Sequence, residues 1–200
     1  MTRMPPRPSR RTLLRALAAA SLRAAAPLLL AASLVGSHAL ASEPALAQFD
    51  LSRDEDGVFL DYAVDFDLGR NAEEALMKSV PIFFVAEAEM YRDRWYWRDR
   101  RVGHATRVWK IVYQPLTSNY RVSAIGGLSQ NYATRAEAIT AISRASRWKI
   151  AEPGQVEDGA RHYVDFNFRL DTNLLPRPMQ IGVSGQPDWQ LSVKRTQRIN

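Results

Sequence analysis

The chain has 200 residues, no cysteine and a formal net charge of +6, from 27 lysines and arginines against 21 aspartates and glutamates. Without cysteine the chain has no disulfides, no thiolate metal ligands and no lipid-modified N-terminal cysteine. Six arginines lie in the first 23 residues, and without them 21 basic residues face 21 acidic ones. The remaining chain is therefore nearly neutral, which argues against nucleic acid as a partner.

The N-terminal segment has the layout of a secretory signal peptide. Its basic start is followed by an apolar stretch from Ala24 to Ala41, built mostly of alanine and leucine. Small-residue triplets then end at Ala41 and at Ala47. A basic start, an apolar middle and a small-x-small exit are typical of secretory signals. We predict a signal peptide within residues 1–47, cleaved after Ala41 or Ala47, and a single periplasmic domain over residues 48–200.

Two alternatives concern this segment. An uncleaved signal would anchor the domain in the inner membrane, but the apolar stretch is shorter than the roughly 20 residues of a spanning helix. Pro27 and Gly36 also interrupt it, so cleavage is favoured. The segment Ser9–Arg15 resembles a twin-arginine export signal, and the alternative is an ordinary basic start read by the general route.

A β-hairpin is predicted at the start of the domain. Residues 49–53 and 58–68 form its arms, and the Asp56-Gly57 pair between them is a turn signal. In the second arm apolar and polar residues alternate, which indicates a half-buried antiparallel strand. The residues predicted to face the core are Val58, Leu60, Tyr62, Val64, Phe66 and Leu68.

A short helix and a strand are predicted next. Asn71, with Glu74 three residues later, has the spacing of a helix N-cap. Residues 82–90 are rich in valine and phenylalanine and predict a strand. The arginine and aromatic run over residues 91–102 is expected to continue this strand to a turn near residues 99–103.

The second half predicts more strands and one further helix. Residues 105–113 and 120–124 read as strands on either side of a turn. Thr134 and Glu137 form a second capping pattern, which opens a helix expected to reach about Arg147.

The C-terminal part alternates again over residues 161–171, with His162, Val164, Phe166, Phe168 and Leu170 on the apolar side. Residues 180–183 and 189–194 read as closing strands, and the tail after residue 194 is expected to fray. The order of elements lacks a repeated βαβ unit. We therefore predict an α+β fold, mainly an antiparallel β-sheet or sandwich with two short helices.

The chain resembles a family of proteobacterial exported domains of unknown function, over roughly residues 49–194. The matching features are Ala75-Leu76 before Pro81-Ile82, the run Arg94–Trp97, the segment Trp109–Tyr113, Leu116 through Val122, and Arg135–Ala138. The resemblance implies no known catalytic or ligand residues. Members of this family are often encoded near a membrane sensor kinase of the nitrogen-regulation type, which makes such a kinase a candidate partner.

No catalytic residue, metal site or cofactor is predicted. Ser184 lies between glycines but lacks the spacing of a nucleophile elbow. His104 is placed in a turn and His162 on an apolar strand face, where a packed imidazole is the commoner interpretation. Asp61 and Asp65 share a strand face with Asp67, but i and i+2 positions are about 6.6 Å apart, so convergence on one cation is awkward.

The arginine and aromatic run is the candidate binding surface. Trp, Tyr and Arg are enriched at the centres of protein interfaces. The candidate residues are Arg92, Arg94, Trp95, Tyr96, Trp97 and Arg98. The alternative is a structural hairpin in which Trp95 and Trp97 share one strand face and enter the core.

The sequence thus favours a non-enzymatic interaction or sensing module of the cell envelope, whose partner is an envelope protein or the membrane sensor kinase. No integral membrane span is expected after cleavage. The alternative is a small periplasmic hydrolase or ligand-binding protein with a site assembled from distant residues.

Overall fold

The computed structural model describes residues 43–96, 98–157, 159–183 and 185–199. This part of the chain forms nine strands in two antiparallel sheets and three short α-helices. The strands are β1 (Ala45–Asp54), β2 (Gly57–Asp65), β3 (Ile82–Arg92), β4 (Arg100–Gln114), β5 (Asn119–Ala124), β6 (Ser129–Tyr132), β7 (Arg144–Ala151), β8 (His162–Leu170) and β9 (Ser192–Ile199). The helices are α1 (Arg70–Met77), α2 (Arg135–Ser143) and α3 (Arg177–Val183). The predicted α+β class is confirmed, with one helix more than the two expected.

The two sheets differ in size. One has three strands in the order β1-β2-β7, and the other has six in the order β6-β5-β4-β3-β8-β9. In each sheet the central strands pair with partners distant in sequence, as where Leu60 of β2 faces Trp148 of β7 and Ala88 of β3 faces Phe166 of β8. The hydrogen-bonded neighbours in both sheets are antiparallel.

The core lies between the two sheets. The Tyr62 ring of β2 contacts Phe166 of β8 at a centroid distance of 4.7 Å, and Phe66 contacts Phe84 of β3 at 5.4 Å. Burial of each such side chain stabilises the fold by about 1.5–3 kcal/mol. The predicted core faces of residues 58–68 and of β8 are confirmed, although β2 itself ends at Asp65. Their buried members are Val58, Leu60, Tyr62, Val64, Phe66, Leu68, His162, Val164, Phe166, Phe168 and Leu170.

The predicted second helix is shorter than expected, because a strand follows it at once. The Thr134 capping box is confirmed, since Thr134 Oγ1 accepts from the Glu137 amide at 3.2 Å and Glu137 Oε2 accepts from the Thr134 amide at 3.3 Å. The helix ends at Ser143 rather than near Arg147, and residues 144–151 form β7. Trp148 and Ile150 are buried on either side of exposed Lys149, and this period of two is typical of a strand and not of a helix. The segment therefore pairs with the free edge of β2.

Three other sequence predictions are corrected. Helix α1 begins after Gly69, which has no side chain to cap it, so Asn71 is not the N-cap. Residues 180–183, predicted as a strand, belong to α3. Pro178 is compatible with this helix, because a proline in the first helical turn removes no hydrogen bond. The tail after residue 194 is not frayed, because β9 pairs with β8 as far as Ile199.

Strands β3 and β4 form the long hairpin that positions the candidate site. β3 ends at Arg92 and β4 begins at Arg100, so the turn lies over residues 93–99 and not at 99–103. His104 consequently lies within β4, opposite Glu89, instead of in a turn. Across the ranges described above, no helix is both long enough and apolar enough to span a membrane.

Candidate functional site

The hairpin tip, residues 93–99, carries the most exposed aromatic pair of the described chain. Trp95 and Tyr96 are each 76% exposed, and their rings are in contact. The expectation that Trp95 enters the core along a strand face is wrong, because the chain leaves strand geometry after Arg92. Trp97, the other predicted face member, lies outside the described residues. The tip therefore presents at least two large rings to its surroundings.

Two aspartates hold the base of the hairpin tip. The Asp93 amide donates to the Arg161 carbonyl at 2.9 Å, and its carboxylate pairs with the Arg161 guanidinium at 3.4 Å. Asp99 accepts from the Tyr163 hydroxyl at 2.8 Å and from the Arg94 amide at 3.0 Å. These two hydrogen bonds lower the pKa of Asp99. The acidic groups of the run are thus used to fix the turn.

The arginines of the run divide into two groups. Arg92 is half-buried at the end of β3 and pairs with Glu157. The guanidinium groups of Arg94, Arg98 and Arg100 have no carboxylate within 4.0 Å among the residues with described positions. Arg98 and Arg100 are exposed. The hairpin tip and the residue that follows it therefore present unbalanced positive charge beside two exposed rings.

A network of polar side chains covers the outer side of the six-stranded sheet next to the hairpin tip. We call it the polar face, and its members are Glu87, Glu89, Tyr91, Arg101, His104, Tyr163 and Arg169. Tyr91 and Tyr163 are stacked, with ring centroids 5.3 Å apart and an angle of 17° between planes. Tyr163 also bonds Asp99, so the polar face and the hairpin tip are continuous.

Glu89 links three members of the polar face. Its Oε1 accepts from Arg101 at 2.6 Å, and its Oε2 accepts from the Tyr91 hydroxyl at 2.8 Å. The hydrogen bonds from Arg101 and Tyr91 lower the pKa of Glu89, and the bond to Glu89 raises the pKa of Tyr91. The carboxylate therefore stays ionised and the phenol stays neutral near pH 7.

Glu87 occupies the next outward position of β3. Its Oε1 lies 3.2 Å from His104 Nε2, and its Oε2 accepts from Arg169 at 3.0 Å. The hydrogen bonds from His104 and Arg169 lower the pKa of Glu87. The ligand atoms of Glu87, Glu89 and His104 lie within 4.8 Å of one another. The two guanidinium groups already balance both carboxylates, so a cation would have to displace them.

The polar face does not have the geometry of a nucleophilic triad. Thr106 Oγ1 and Glu87 Oε1 both contact His104 through Nε2, each at 3.2 Å. A serine-type triad instead uses one ring nitrogen for the nucleophile and the other for the carboxylate. His162 is buried on the opposite, inner side of the sheet, where its Nδ1 lies 3.0 Å from the Ala160 carbonyl.

The aspartates of β2 take separate partners. Asp61 accepts from the Arg147 amide, and Asp65 lies 4.0 Å from the Arg144 guanidinium. A cleft of about 310 Å³ lies beside Asp65, between the end of β2 and α2. Its polar walls include Arg135, which is engaged by Glu73 of α1. Of these two aspartates only Asp65 lies near an arginine side chain, because the Arg147 guanidinium pairs with Asp54.

Sequence reasoning found the hairpin tip but missed the polar face. The alternation of Glu87 and Glu89 with buried Ala86 and Ala88 was a readable signal for two outward carboxylates. Their partners come from β4 and β8, which the register of the sheet brings alongside. The β3–β4 register depends on where the hairpin turns, and the β3–β8 register on pairing between distant segments, so the sequence alone did not reveal the network.

Comparison with known proteins identifies a family and no individual relative. No curated protein and no solved structure gives a significant match to the chain. A family model, described as a domain of unknown function (DUF4390), matches residues 41–199. This match spans the two sheets, the three helices and the hairpin tip. The chain therefore belongs to the DUF4390 family.

Proposed function

We propose that the protein is an exported, non-enzymatic binding module of the cell envelope that contacts its target through the hairpin tip. One observation carries this proposal: Trp95 and Tyr96 are exposed at a turn whose aspartates are bonded to neighbouring residues, while Arg94 and Arg98 have no carboxylate partner among the described residues. Exposed tryptophan and tyrosine beside arginine have the composition of binding hot spots. The proposed compartment is the periplasm, as expected for a proteobacterial protein with this N-terminal segment.

The proposed export rests on the first 41 residues, which lie outside the described residues, and the described part bears on where cleavage occurs. β1 begins at Ala45, and Leu46 faces Val64 of β2 while packing against the core. Cleavage after Ala47 would remove the first three residues of β1. Cleavage after Ala41 would leave the strand complete, so we propose that the mature chain begins at Ser42.

Intact mass of the protein recovered from periplasm tests the proposed processing. The expected species begins at Ser42. A species that begins at Gln48 would show that the first residues of β1 are dispensable, and one that begins at Met1 in the membrane fraction would show an uncleaved anchor. Recovery of the chain only in the cytosol would contradict export.

A photo-crosslinking amino acid placed at the hairpin tip tests the proposed contact surface. Substitution at Tyr96 is expected to yield crosslinks in cells, and substitution at Leu116, a fully exposed residue in the β4–β5 turn, serves as the control. An envelope protein such as a membrane sensor kinase is the candidate protein partner. Equal crosslinking from both positions would contradict a contact surface at the tip, and so would the absence of crosslinks from Tyr96 to any protein or lipid of the envelope.

The polar face supports one alternative, a small hydrolase or ligand-binding protein. Four of its members, Glu87, Glu89, Tyr91 and Arg101, have pKa values shifted chiefly by hydrogen bonds to specific side chains, and such clusters are enriched at functional sites. The paired variant Glu87→Gln/Glu89→Gln separates the two functions. Loss of cellular function with crosslinking from Tyr96 retained would favour the polar face. The proposed function instead predicts that this variant keeps both its cellular function and its crosslinking from Tyr96.

A further inference from the structure

We infer that the hairpin tip binds the phosphate headgroups of an anionic phospholipid bilayer, which holds the domain against a membrane surface. This inference rests on the proposed function and specifies the target of the same surface. It commits to lipid, and an acidic protein partner is one outcome of the test below.

Charge is the first argument. Asp93 and Asp99 are bonded to Arg161, Tyr163 and the Arg94 amide at the base of the tip. The guanidinium groups of Arg94, Arg98 and Arg100 are left without carboxylate partners in the described part of the chain. Guanidinium binds phosphate oxygens in a two-pronged geometry that ammonium cannot reproduce. The five basic positions in the run Arg92 to Arg101 are all arginine, with no lysine.

The exposed aromatic pair is the second argument. Trp95 and Tyr96 are adjacent, each 76% exposed, and lie at the turn where the sheet ends. Tryptophan and tyrosine concentrate at membrane–water interfaces, because their rings are apolar and their N–H and O–H groups stay hydrated. Arginines at headgroup level beside such rings form the combination that holds peripheral proteins at a bilayer.

The size of the apolar surface favours lipid over protein. A stable protein interface takes about 800 Å² from each partner. The other large exposed apolar side chains of the described residues all lie outside the β3–β4 hairpin: Met77, Leu116, Ile125, Leu128, Leu174 and Ile181. A two-ring tip is small for a protein hot spot with its surrounding rim. It suffices for shallow, reversible contact with a charged bilayer.

The strength of the contact can be bounded from the charges. Each basic residue close to an anionic membrane strengthens binding about fivefold. Loss of Arg94 and Arg98 together should therefore weaken binding about 25-fold. The contact should also be screened strongly when the ionic strength rises from about 0.01 M to about 1 M.

Vesicle co-sedimentation of the protein purified from periplasm tests the inference. Vesicles of phosphatidylglycerol mixed with phosphatidylethanolamine are compared with vesicles of phosphatidylcholine. We expect binding to the anionic vesicles only, and its loss at high salt. Equal binding to both vesicle types, or binding insensitive to salt, would overturn the inference.

Matched variants locate the contact. Arg94→Gln/Arg98→Gln should weaken binding about 25-fold, and Trp95→Ala/Tyr96→Ala should weaken it at unchanged charge. The control Lys194→Gln/Arg195→Gln removes the same charge from exposed positions of β9 and should reduce binding far less. Equal losses in the control would show attraction to total charge alone, which would overturn the assigned site.

The vesicle and crosslinking experiments together distinguish the proposed contact surface from the inference that its target is lipid. Crosslinks from Tyr96 to a protein, together with no vesicle binding, would overturn the lipid inference and leave the hairpin tip as a contact surface. Absence of both signals would overturn the contact surface itself. Vesicle binding that depends on Arg94 and Trp95 would support both.

Discussion

Tyr163 donates a hydrogen bond from its hydroxyl to Asp99 Oδ2 across 2.8 Å, which joins β8 to the far end of the hairpin tip. Burial and this hydrogen bond raise the pKa of Tyr163, while the same bond lowers the pKa of Asp99. The phenol therefore remains a donor and the carboxylate an acceptor throughout the neutral pH range. The bond connects the polar face to the exposed aromatic pair.

Tyr163→Phe is predicted to loosen the hairpin tip without unfolding the domain. The change removes only the donor to Asp99 and keeps the ring that stacks on Tyr91. Amide hydrogen exchange should speed up over residues 94–99 and stay unchanged in the β3 and β8 strands. Tyr132→Phe on β6, far from the tip in the sheet order, is the control. Unchanged exchange in the tip would mean that Asp93 alone fixes the turn.

The tryptophans of the tip and the core are predicted to differ sharply in their effect on stability. Trp95→Ala should change the free energy of unfolding by about 0.5 kcal/mol or less, because its side chain is exposed. Trp148→Ala should cost about 3–5 kcal/mol, because that ring is buried against Tyr62. Urea denaturation of both variants measures the difference. A large loss in the Trp95 variant would place its ring in the core.

A second prediction about stability follows from the alternation of buried and partly exposed side chains along β8. Phe166→Ala should cost about 3–5 kcal/mol, because the ring is 2% exposed and contacts Tyr62 and Phe49. Asp65→Ala should cost about 0.5 kcal/mol or less, since its carboxylate is exposed and only 4.0 Å from Arg144. Chemical denaturation that ranks the two variants in the opposite order would refute the strand register.

The ionised carboxylates of Glu87 and Glu89 are predicted to stabilise the folded domain near neutral pH, and this contribution should be lost in acid. Hydrogen bonds in the folded state lower the pKa of both groups below the reference value of 4.5. Their contribution is therefore complete above pH 4.5 and disappears as the pH falls through the lowered folded-state values. The variant Glu87→Gln/Glu89→Gln should be less stable than the parent near neutral pH, and the gap should close in acid.

Urea midpoints at about pH 7 and about pH 2 measure this gap, on either side of the titration. Glu55→Gln, in the exposed β1–β2 turn, is the control and should show a small gap at both values. A gap of the same size at both pH values for the paired variant would mean that its effect is steric and not electrostatic.

The sequence predicted the features that depend on residues close together in the chain, namely strand alternation and helix capping. The alternation around Tyr62 and Phe166 fixed the buried faces of two strands, and Thr134 with Glu137 marked the start of α2. The strand β7 was missed because Ala145 continues the helical spacing of the preceding residues. β6 has three polar residues before Tyr132 and therefore no apolar alternation, and only its pairing with β5 makes it a strand.

The candidate site shows the same division. Composition alone pointed to the arginine and aromatic run, and the tip lies within it. Whether Trp95 is inside or outside depends on where β3 ends, which is set by the pairing of Arg92 with Arg100 and His162. The pairing with His162 joins segments far apart in the chain, so neither the tip geometry nor the polar face could be read from neighbouring residues alone.

The wide sequence separation of paired strands governs when this domain can fold. Phe84 of β3 pairs with Leu170 of β8, 86 positions later, and Val58 of β2 pairs with Ala151 of β7. Closing such long loops is slow, because their entropy is lost before the contacts form. A chain that emerges N-terminus first therefore cannot seal its core until its last third has appeared.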